Sequence, residues 1–205
     1  GKDLLSKNLP KILDEINNYK TGKTEIIIVD DASKDNSTGL INKFPKVALL
    51  VNPKNLGFSK SVNKGVSHAT GDIIILLNTD VAPDKNFLAP LLTHFKDENI
   101  FAVGCMDKSR EGEKVVLRGR GIGTWKRGFL VHARGEVNKS DTLWVSAGSG
   151  AFRKIIWDKL GGLNELYSPF YWEDIDLSYR AQKSGYGLFF ESKSTVLHEH
   201  DKGVI

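Results

Sequence analysis

The sequence predicts an α/β protein in which helices cover a mainly parallel central sheet. Two continuous runs of β-branched and aliphatic residues, at 25–30 and 72–77, are typical of strands that are buried on both faces. Segments with apolar residues at helical spacing separate these runs, so strands and helices alternate along the chain. This alternating order favours a layered fold with parallel strands.

Each further element is predicted from the same periodicities, in chain order. Leucine and isoleucine recur at helical spacing from 4 to 16, and Pro10 is expected to kink or restart that first helix. Charges and glycines dominate 107–143, which is expected to be irregular, a small sheet extension or a mobile loop. The other predicted elements are helices at 37–44, 58–69, 87–95 and 155–160, an acidic helix ending at Gly185, and strands at 47–51, 101–106, 187–191 and 194–198.

The composition is that of one globular domain. The 205 residues suffice for one sizeable core, and 40% hydrophobic with 26% charged residues is ordinary. The net charge of +4 fits anionic ligands or an acidic membrane surface, whereas the scattered basic residues argue against a nucleic-acid partner. The single Cys105 excludes an intramolecular disulfide framework and suits a reducing compartment, the cytoplasm.

Membrane spans are not predicted. No apolar stretch approaches the roughly 20 residues that a spanning helix needs. The start of the chain leads straight into an amphipathic segment, so no signal peptide is expected. Membrane association would therefore come from surface patches or from residues outside this sequence, and nothing in the chain indicates an oligomeric state.

The run YWEDIDLSYR at 171–180 carries the strongest chemical signal. Three carboxylates, on Glu173, Asp174 and Asp176, lie within four residues at the start of a predicted helix. The helix dipole and free N–H groups favour negative charge there. The run is either a positioned base for a hydroxyl proton or a solvated helix N-terminus.

Polar residues follow two of the predicted strands. Asp30 and Asp31 end the first strand, and Asn78 and Asp80 follow the third. In open α/β sheets ligands bind beyond the carboxyl ends of the strands, where such groups would hold a ribose and a divalent cation. The alternative is an ordinary strand-to-turn junction.

Small residues offer two further candidate sites. Gly57, after Asn55 and before a predicted helix that contains Lys64, would let backbone N–H groups approach an anion, or simply start the helix. The stretch 146–153, which includes Gly148, permits close ligand approach or a tight bend. Arg153 and Arg180 are phosphate partners or surface charges.

Two histidines, His198 and His200, alternate on the last predicted strand and would share one face. With a single cysteine and no other close histidine pair, a structural zinc site is not expected.

Taken in order, these motifs resemble the family 2 glycosyltransferases of the GT-A fold, a Rossmann-like layered sandwich. The subgroup they resemble is the bacterial rhamnosyltransferase-like enzymes that build surface polysaccharide. The matching segments span most of the chain and are IIIVDDASKDNS (26–37), NLGFSKSVNKG (55–65), GDIIILLNTDV (71–81), SAGSGAFRK (146–154) and GGLNELYSPFYWEDIDLSYRAQKSGY (161–186).

The resemblance implies roles for the metal and the base. Asp80 matches the last residue of the family's D-x-D motif and would bind Mg²⁺ or Mn²⁺, while Asn78 replaces the first Asp and would contact ribose or metal-bound water. Asp174 matches the catalytic base. His198 matches a histidine that completes the metal shell in some relatives, with His200 as a competitor.

The resemblance also implies a donor-binding set. Asp31, with Asp30 beside it, would contact the base and ribose of the nucleotide, and Glu173 is the acidic neighbour of the base. The remaining residues assigned to the nucleotide sugar from the matched motifs are Asn55, Gly57, Lys64 and Gly148.

The implied activity is inverting, metal-dependent transfer of a hexosyl or deoxyhexosyl group. The donor would be a UDP-, dTDP- or GDP-sugar and the acceptor a saccharide or a lipid-linked saccharide, at the inner face of the cytoplasmic membrane. Residues 1–106 would form the donor half and residues 107–205 the acceptor half of one domain. Donor and acceptor identity would be set in 107–145 and 166–172.

The family's first strand and its base-binding loop precede the point where this sequence starts, so the polypeptide is expected to lack them and to have little or no activity. Two alternatives remain. One is a sugar-nucleotidyltransferase of the same fold, and the other is a non-catalytic scaffold that binds nucleotide sugars.

Overall fold

The computed structural model describes residues 1–169 and 171–199, and within them the α/β class is confirmed. The helices are α1 (Lys2–Asn18), α2 (Ser37–Ile41), α3 (Phe58–His68), α4 (Leu88–Thr93), α5 (Lys154–Leu160) and α6 (Glu173–Lys183). The strands are β1 (Ile26–Asp30), β2 (Val47–Val51), β3 (Ile73–Leu77), β4 (Val81–Pro83), β5 (Ile100–Glu111), β6 (Lys114–Arg118), β7 (Gly121–Lys126), β8 (Phe129–Arg134), β9 (Ser149–Arg153) and β10 (Gly187–Glu199).

The strands form three sheets. β1 and β2 make a parallel pair, and β7 and β8 make an antiparallel hairpin. The largest sheet has the order β3-β9-β5-β10-β4, with β6 paired to β5. Its strand directions are mixed rather than mainly parallel, because β9 runs antiparallel to both β3 and β5 while β5 and β10 run parallel. A buried apolar run suits either direction, so the sequence pattern does not show this.

The core lies on both faces of the six-stranded sheet. Phe101 and Phe152 pack against α5 and α6 on one face, and Val103 and Ala151 pack against α4 on the other. Ala151 and Phe152 are adjacent on β9 and point to opposite sides because side chains alternate along a strand. On β5 the register with β10 skips Phe101, and this irregularity lets Phe101 and Val103 face opposite sides although they are two residues apart. Cys105 is buried in the second cluster, and burial raises the pKa of its thiol to about 12.

Three predicted elements differ in extent. α1 continues through Pro10 as one helix. The two short strands expected near the C-terminus are one strand, β10, with a register shift between Glu191 and Thr195 where polar residues interrupt the apolar pattern. The segment 107–143 contains the end of β5, β6 and the β7–β8 hairpin. Among residues 1–169 and 171–199, no helix is both long and apolar enough to cross a bilayer.

Candidate functional site

Sheet topology brings His198 and Asp80 together. Asp80 precedes β4, and His198 on β10 is the register partner of Val81. The Nε2 atom of His198 lies 3.2 Å from Oδ2 of Asp80. The segment that carries Asp80 is also tied to the first helix, because the buried Asn8 side chain donates a 2.9 Å hydrogen bond to the Thr79 carbonyl.

Asp107 holds the other side of the His198 ring. The Nδ1 atom of His198 lies 2.9 Å from Oδ2 of Asp107, and the buried Ser109 hydroxyl donates to the other oxygen of Asp107 at 2.9 Å. An imidazole bonded to a carboxylate at Nδ1 presents Nε2 in a fixed direction, as metal-bound histidines do. Asp107 was not predicted from the sequence, although it directly follows a predicted strand just as Asp31 does.

The two carboxylates make His198 unusually basic. Hydrogen bonds to Asp107 first and Asp80 second outweigh the effect of burial and raise the pKa of His198 from 6.5 to about 9. A raised histidine pKa means that the folded protein binds the proton more tightly than the unfolded chain does.

The metal-free protein is therefore expected to lose stability as pH rises. The contribution of His198 is fully present below about pH 6.5 and is lost through about pH 9. It amounts to up to about 3 kcal/mol. Urea unfolding in EDTA at several pH values measures it, with Asp107→Asn as the matched variant, because this change removes the largest cause of the shift. Equal pH dependence of the free energy of unfolding in both proteins would contradict this role of Asp107.

Asp80 and His198 fit a divalent cation that has further ligands from elsewhere. Two ligands at right angles with 2.0–2.2 Å bonds stand about 3 Å apart, close to the observed 3.2 Å between Nε2 and Oδ2. A carboxylate with an imidazole suits Mn²⁺ better than Mg²⁺, which prefers oxygen alone. Within the described ranges no three acidic, histidine or cysteine side chains are grouped to hold a metal. His200, the competing candidate, lies outside the described residues.

The segment 146–148 packs directly against Asn78. The Asn78 N–H donates to the Gly148 carbonyl at 2.9 Å. A Cβ at Gly148 would lie 2.9 Å from the Asn78 side-chain nitrogen, a contact that real Cβ atoms essentially never make. A larger residue at position 148 would therefore displace the Asn78 side chain.

The same segment reaches Asp174 at the start of α6. The Ile175 N–H donates to Oδ1 of Asp174 at 2.8 Å, and the Ala147 N–H lies near enough to the carboxylate to lower its pKa slightly. Burial first, and the charge of Glu173 second, raise the pKa of Asp174 from 3.8 to about 6. Asp174 is thus a half-buried carboxylate that is held in place and loses its proton just below neutral pH.

Glu173 is more deeply buried than its neighbour. Glu173 is 5% exposed, and its Oε2 atom has no hydrogen-bond partner among the described residues. Burial raises the pKa of Glu173. Trp172, with a φ of 84°, sits in the left-handed region just before the helix and sets its entry angle.

Asp31 organises the second group of predicted residues. Its carboxylate accepts hydrogen bonds from the N–H groups of Leu56 (2.8 Å) and Gly57 (2.9 Å) and from the Asn52 side chain (2.8 Å). Burial would raise the pKa of Asp31, but these hydrogen bonds lower it. Gly57 has a φ of 85°, which only glycine adopts readily.

Lys64 and Asp30 complete this group through Asn52. The Lys64 amine donates to the Asn52 side-chain oxygen at 2.7 Å, and the Asn52 N–H donates to the Asp30 carbonyl at 2.8 Å. The buried Asp30 carboxylate accepts from the Ser33 N–H at 3.2 Å, while the Asn55 side chain accepts from the Gly57 N–H at 3.1 Å. Asn52 was not predicted from the sequence, although it is a polar residue that directly follows β2.

The two arginines left open by the sequence analysis clamp the backbone. Arg153 donates to the carbonyls of Phe95, Asp97 and Ile100, and Arg180 to those of Leu160 and Gly162. Neither guanidinium is a simple surface charge.

Comparison with known proteins finds one matching family and several similar proteins. The profile of Glycosyl transferase family 2 matches residues 6–159. The O-antigen chain rhamnosyltransferase WbaN of Salmonella anatum is 22% identical over 183 residues, which cover 87% of this chain and 57% of that protein. The pre-mycofactocin glycosyltransferase of Mycobacterium tuberculosis is 28% identical over 85% of this chain and 37% of its own length. The chain thus spans about half the length, or less, of these relatives.

Two solved structures share the fold at 17% identity. GalNAc-T7 with UDP, GalNAc and Mn²⁺ superimposes with a TM-score of 0.81 over 98% of this chain and 42% of its own. The mannosyltransferase PcManGT from Pyrobaculum calidifontis, in complex with GDP-Man and Mn²⁺, gives 0.74 over 98% of this chain and 55% of its own. The fold is therefore GT-A.

Proposed function

The chain belongs to glycosyl transferase family 2, and from this premise we propose that it transfers a sugar from a nucleoside-diphosphate donor to a hydroxyl of a saccharide or lipid-linked acceptor. One observation carries the proposal. The segment 146–148 contacts the Asp174 carboxylate on one side and Asn78, two residues from Asp80, on the other. A base and a metal-binding carboxylate would thus be held at one site by one short piece of backbone.

Asp174 is the proposed general base. Its pKa of about 6 leaves it ionised at neutral pH yet basic enough to accept a proton from the acceptor hydroxyl as attack begins. The Ile175 N–H group fixes its orientation. The acceptor oxygen attacks the anomeric carbon from the side opposite the leaving group, so the configuration inverts.

Asp80 and His198 would hold Mn²⁺ or Mg²⁺, with Asn78 near ribose or metal-bound water. Such an ion offsets the charge on the departing nucleoside diphosphate. Divalent ions of this class keep few protein ligands and take the rest from phosphate and water. The Mn²⁺ in both solved neighbours supports this part of the proposal.

The candidate donor-binding residues of 1–106 are largely hydrogen-bonded to one another, so we propose that they bind the nucleotide mainly through the fit of the site and less through unpaired charges. The Gly57 N–H and the Lys64 amine already donate to Asp31 and Asn52. Asp31 already accepts three hydrogen bonds, which leaves it about one further acceptor position, since a carboxylate offers about four. A ribose hydroxyl suits that position. Asp30, Asn55 and Gly148 would contact the same bound UDP-, dTDP- or GDP-sugar.

The relatives and the composition support a proposal for where the protein acts in the cell. O-antigen rhamnosyltransferases are among the similar proteins, which supports a role in cell-surface polysaccharide synthesis with a deoxyhexose donor. We place the reaction in the cytoplasm, at the inner face of the membrane. Residues 1–106 bind the donor and 107–205 bind the acceptor in this proposal.

Titration calorimetry with UDP, dTDP and GDP, each with and without Mn²⁺, tests the proposal. We expect one nucleotide to bind at least about tenfold more tightly with Mn²⁺, since the ion bridges its phosphates to the protein. Nucleotide binding of equal affinity with and without Mn²⁺ would favour the non-catalytic scaffold alternative. Release of pyrophosphate instead of nucleoside diphosphate during turnover would identify the nucleotidyltransferase alternative.

A further inference from the structure

The β7–β8 hairpin presents an apolar face that the described residues leave uncovered. In an antiparallel pair, residues directly opposite one another share a face, and faces alternate along each strand. The pairing of Thr124 with Val131 and of Lys126 with Phe129 therefore defines one face. We call this the outer face, and its members are Ile122, Thr124, Lys126, Phe129, Val131 and Ala133.

The opposite, inner face of the hairpin is anchored near Asp174. The His132 ring contacts Trp172 edge-on at 4.8 Å and Trp144 at 5.4 Å between ring centroids. The Trp125 ring lies 5.7 Å from Tyr179 on α6. Because Trp172 immediately precedes Glu173 and Asp174, the hairpin is fixed beside the proposed base.

The outer face exposes apolar side chains, whereas the solvent-facing side of a sheet is normally polar. Phe129 is 76% exposed, Val131 47% and Ile122 40%. A two-stranded ribbon with one packed face normally carries polar side chains on the other. Adjacent exposed apolar side chains of this kind mark an interaction surface rather than scattered surface residues.

Charge identifies the kind of partner. The hairpin segment 121–134 contains Lys126, Arg127 and Arg134 and no aspartate or glutamate. Lys126 and Arg127 lie at the tip, beside Phe129. A second copy of the same face would bring like charges together, which is unfavourable. An apolar and aromatic surface edged by basic residues matches the interface of an anionic bilayer, where aromatic rings insert and cations meet headgroup phosphates.

We propose that the outer face of the β7–β8 hairpin docks the protein on the surface of an anionic phospholipid membrane. The inference rests on the proposed function, since it names the membrane as the source of the acceptor. With the inner face packed on Trp172, docking brings the Asp174 side of the protein toward the headgroups. A lipid-linked acceptor would then be held at the same end of the protein as the base.

Sedimentation with vesicles tests the docking surface. The unmodified polypeptide is expected to bind vesicles of phosphatidylglycerol and phosphatidylethanolamine, less so at high salt, and to bind phosphatidylcholine vesicles weakly. Phe129→Ser should lower the bound-to-free ratio on anionic vesicles about tenfold. Lys126→Glu should lower it at least about fivefold on anionic vesicles only. The matched control is Ile155→Ser, which removes a residue that is 74% exposed on α5, outside the hairpin, and should bind as the parent does.

Thermal melting by circular dichroism confirms that each variant is folded. The proposal is overturned if the parent does not bind anionic vesicles, or if folded Phe129→Ser and Lys126→Glu bind as well as it does. Loss of a parent dimer in Phe129→Ser would instead identify a second copy as the partner and would also overturn it. Nucleotide titration of the full-length protein keeps the two proposals apart, because vesicle binding without nucleotide binding there refutes the glycosyltransferase proposal and leaves the docking surface standing.

Discussion

Replacing Asp174 with asparagine is expected to abolish sugar transfer while stabilising the folded protein. Loss of the general base should lower kcat by about 10²–10⁴-fold. Donor binding should persist, since the change is isosteric and lies on the acceptor side. The stability gain follows from the pKa of about 6, because burial beside Glu173 makes the ionised carboxylate unfavourable in the folded state.

The sign and the pH window of that gain are fixed by the direction of the shift. A carboxyl whose folded pKa is raised from 3.8 to about 6 costs stability above that range and costs nothing below it. Asp174→Asn should therefore unfold at higher urea at pH 7, by up to about 3 kcal/mol. The difference from the parent should vanish below about pH 4. The kcat/KM of the parent should rise through an apparent pKa of about 6 that belongs to the Glu173–Asp174 pair.

Asp176→Asn is the matched control for this prediction. Asp176 lies in the same helical turn, but its carboxylate accepts from Arg180 at 2.8 Å. Losing that ion pair should cost at most about 1 kcal/mol and leave turnover near that of the parent. If Asp174→Asn lost donor binding as fully as turnover, or were less stable than the parent at pH 7, Asp174 would be a structural residue.

The strands that the sequence predicts well are those whose burial dictates composition. β1 and β3 are short runs of isoleucine, valine and leucine, and both are found within one residue of their expected bounds. β4 has three residues and follows directly on the Asn78–Asp80 turn, so no periodicity distinguishes it. The direction of β9 is equally hidden, because strand polarity depends on which neighbours pair with it and not on its own side chains.

The site shows the same division between local and long-range information. Asp80 and Asp174 are recognisable because motifs surround them. Asp107 is not, because its role depends on the pairing of β5 with β10, which places it beside a residue 91 positions further along the chain. Asp31 is recognisable as a polar strand end, but its hydrogen bonds to Leu56 and Gly57 depend on how the loop after β2 folds back.

The second large effect is expected from Asp80→Ala, and its sign should depend on the metal. With Mn²⁺ present, the variant should bind the nucleoside diphosphate at least about 100-fold more weakly, because it has lost a metal ligand. Loss of a residue that only hydrogen-bonds to a metal ligand already lowers metal affinity by about 10–100-fold. Calorimetry with the nucleotide that the parent prefers measures this loss.

Without metal the expected order of affinities reverses. Asp80, which is paired with His198, then lies beside the position proposed for the diphosphate, and its negative charge repels the phosphates. Removing the carboxylate should leave the His198 cation, which Asp107 still holds at 2.9 Å, facing that position, and should make metal-free nucleotide binding as tight as that of the parent or tighter. Asp84→Asn is the control, because Asp84 is held by Lys108 and Thr195 at 2.7 Å and has no part in the proposed site. A metal ligand should affect nucleotide affinity in opposite directions with and without Mn²⁺. If Asp80→Ala instead lowered nucleotide affinity equally in both titrations, Asp80 would support the fold of the loop and would not bind the metal.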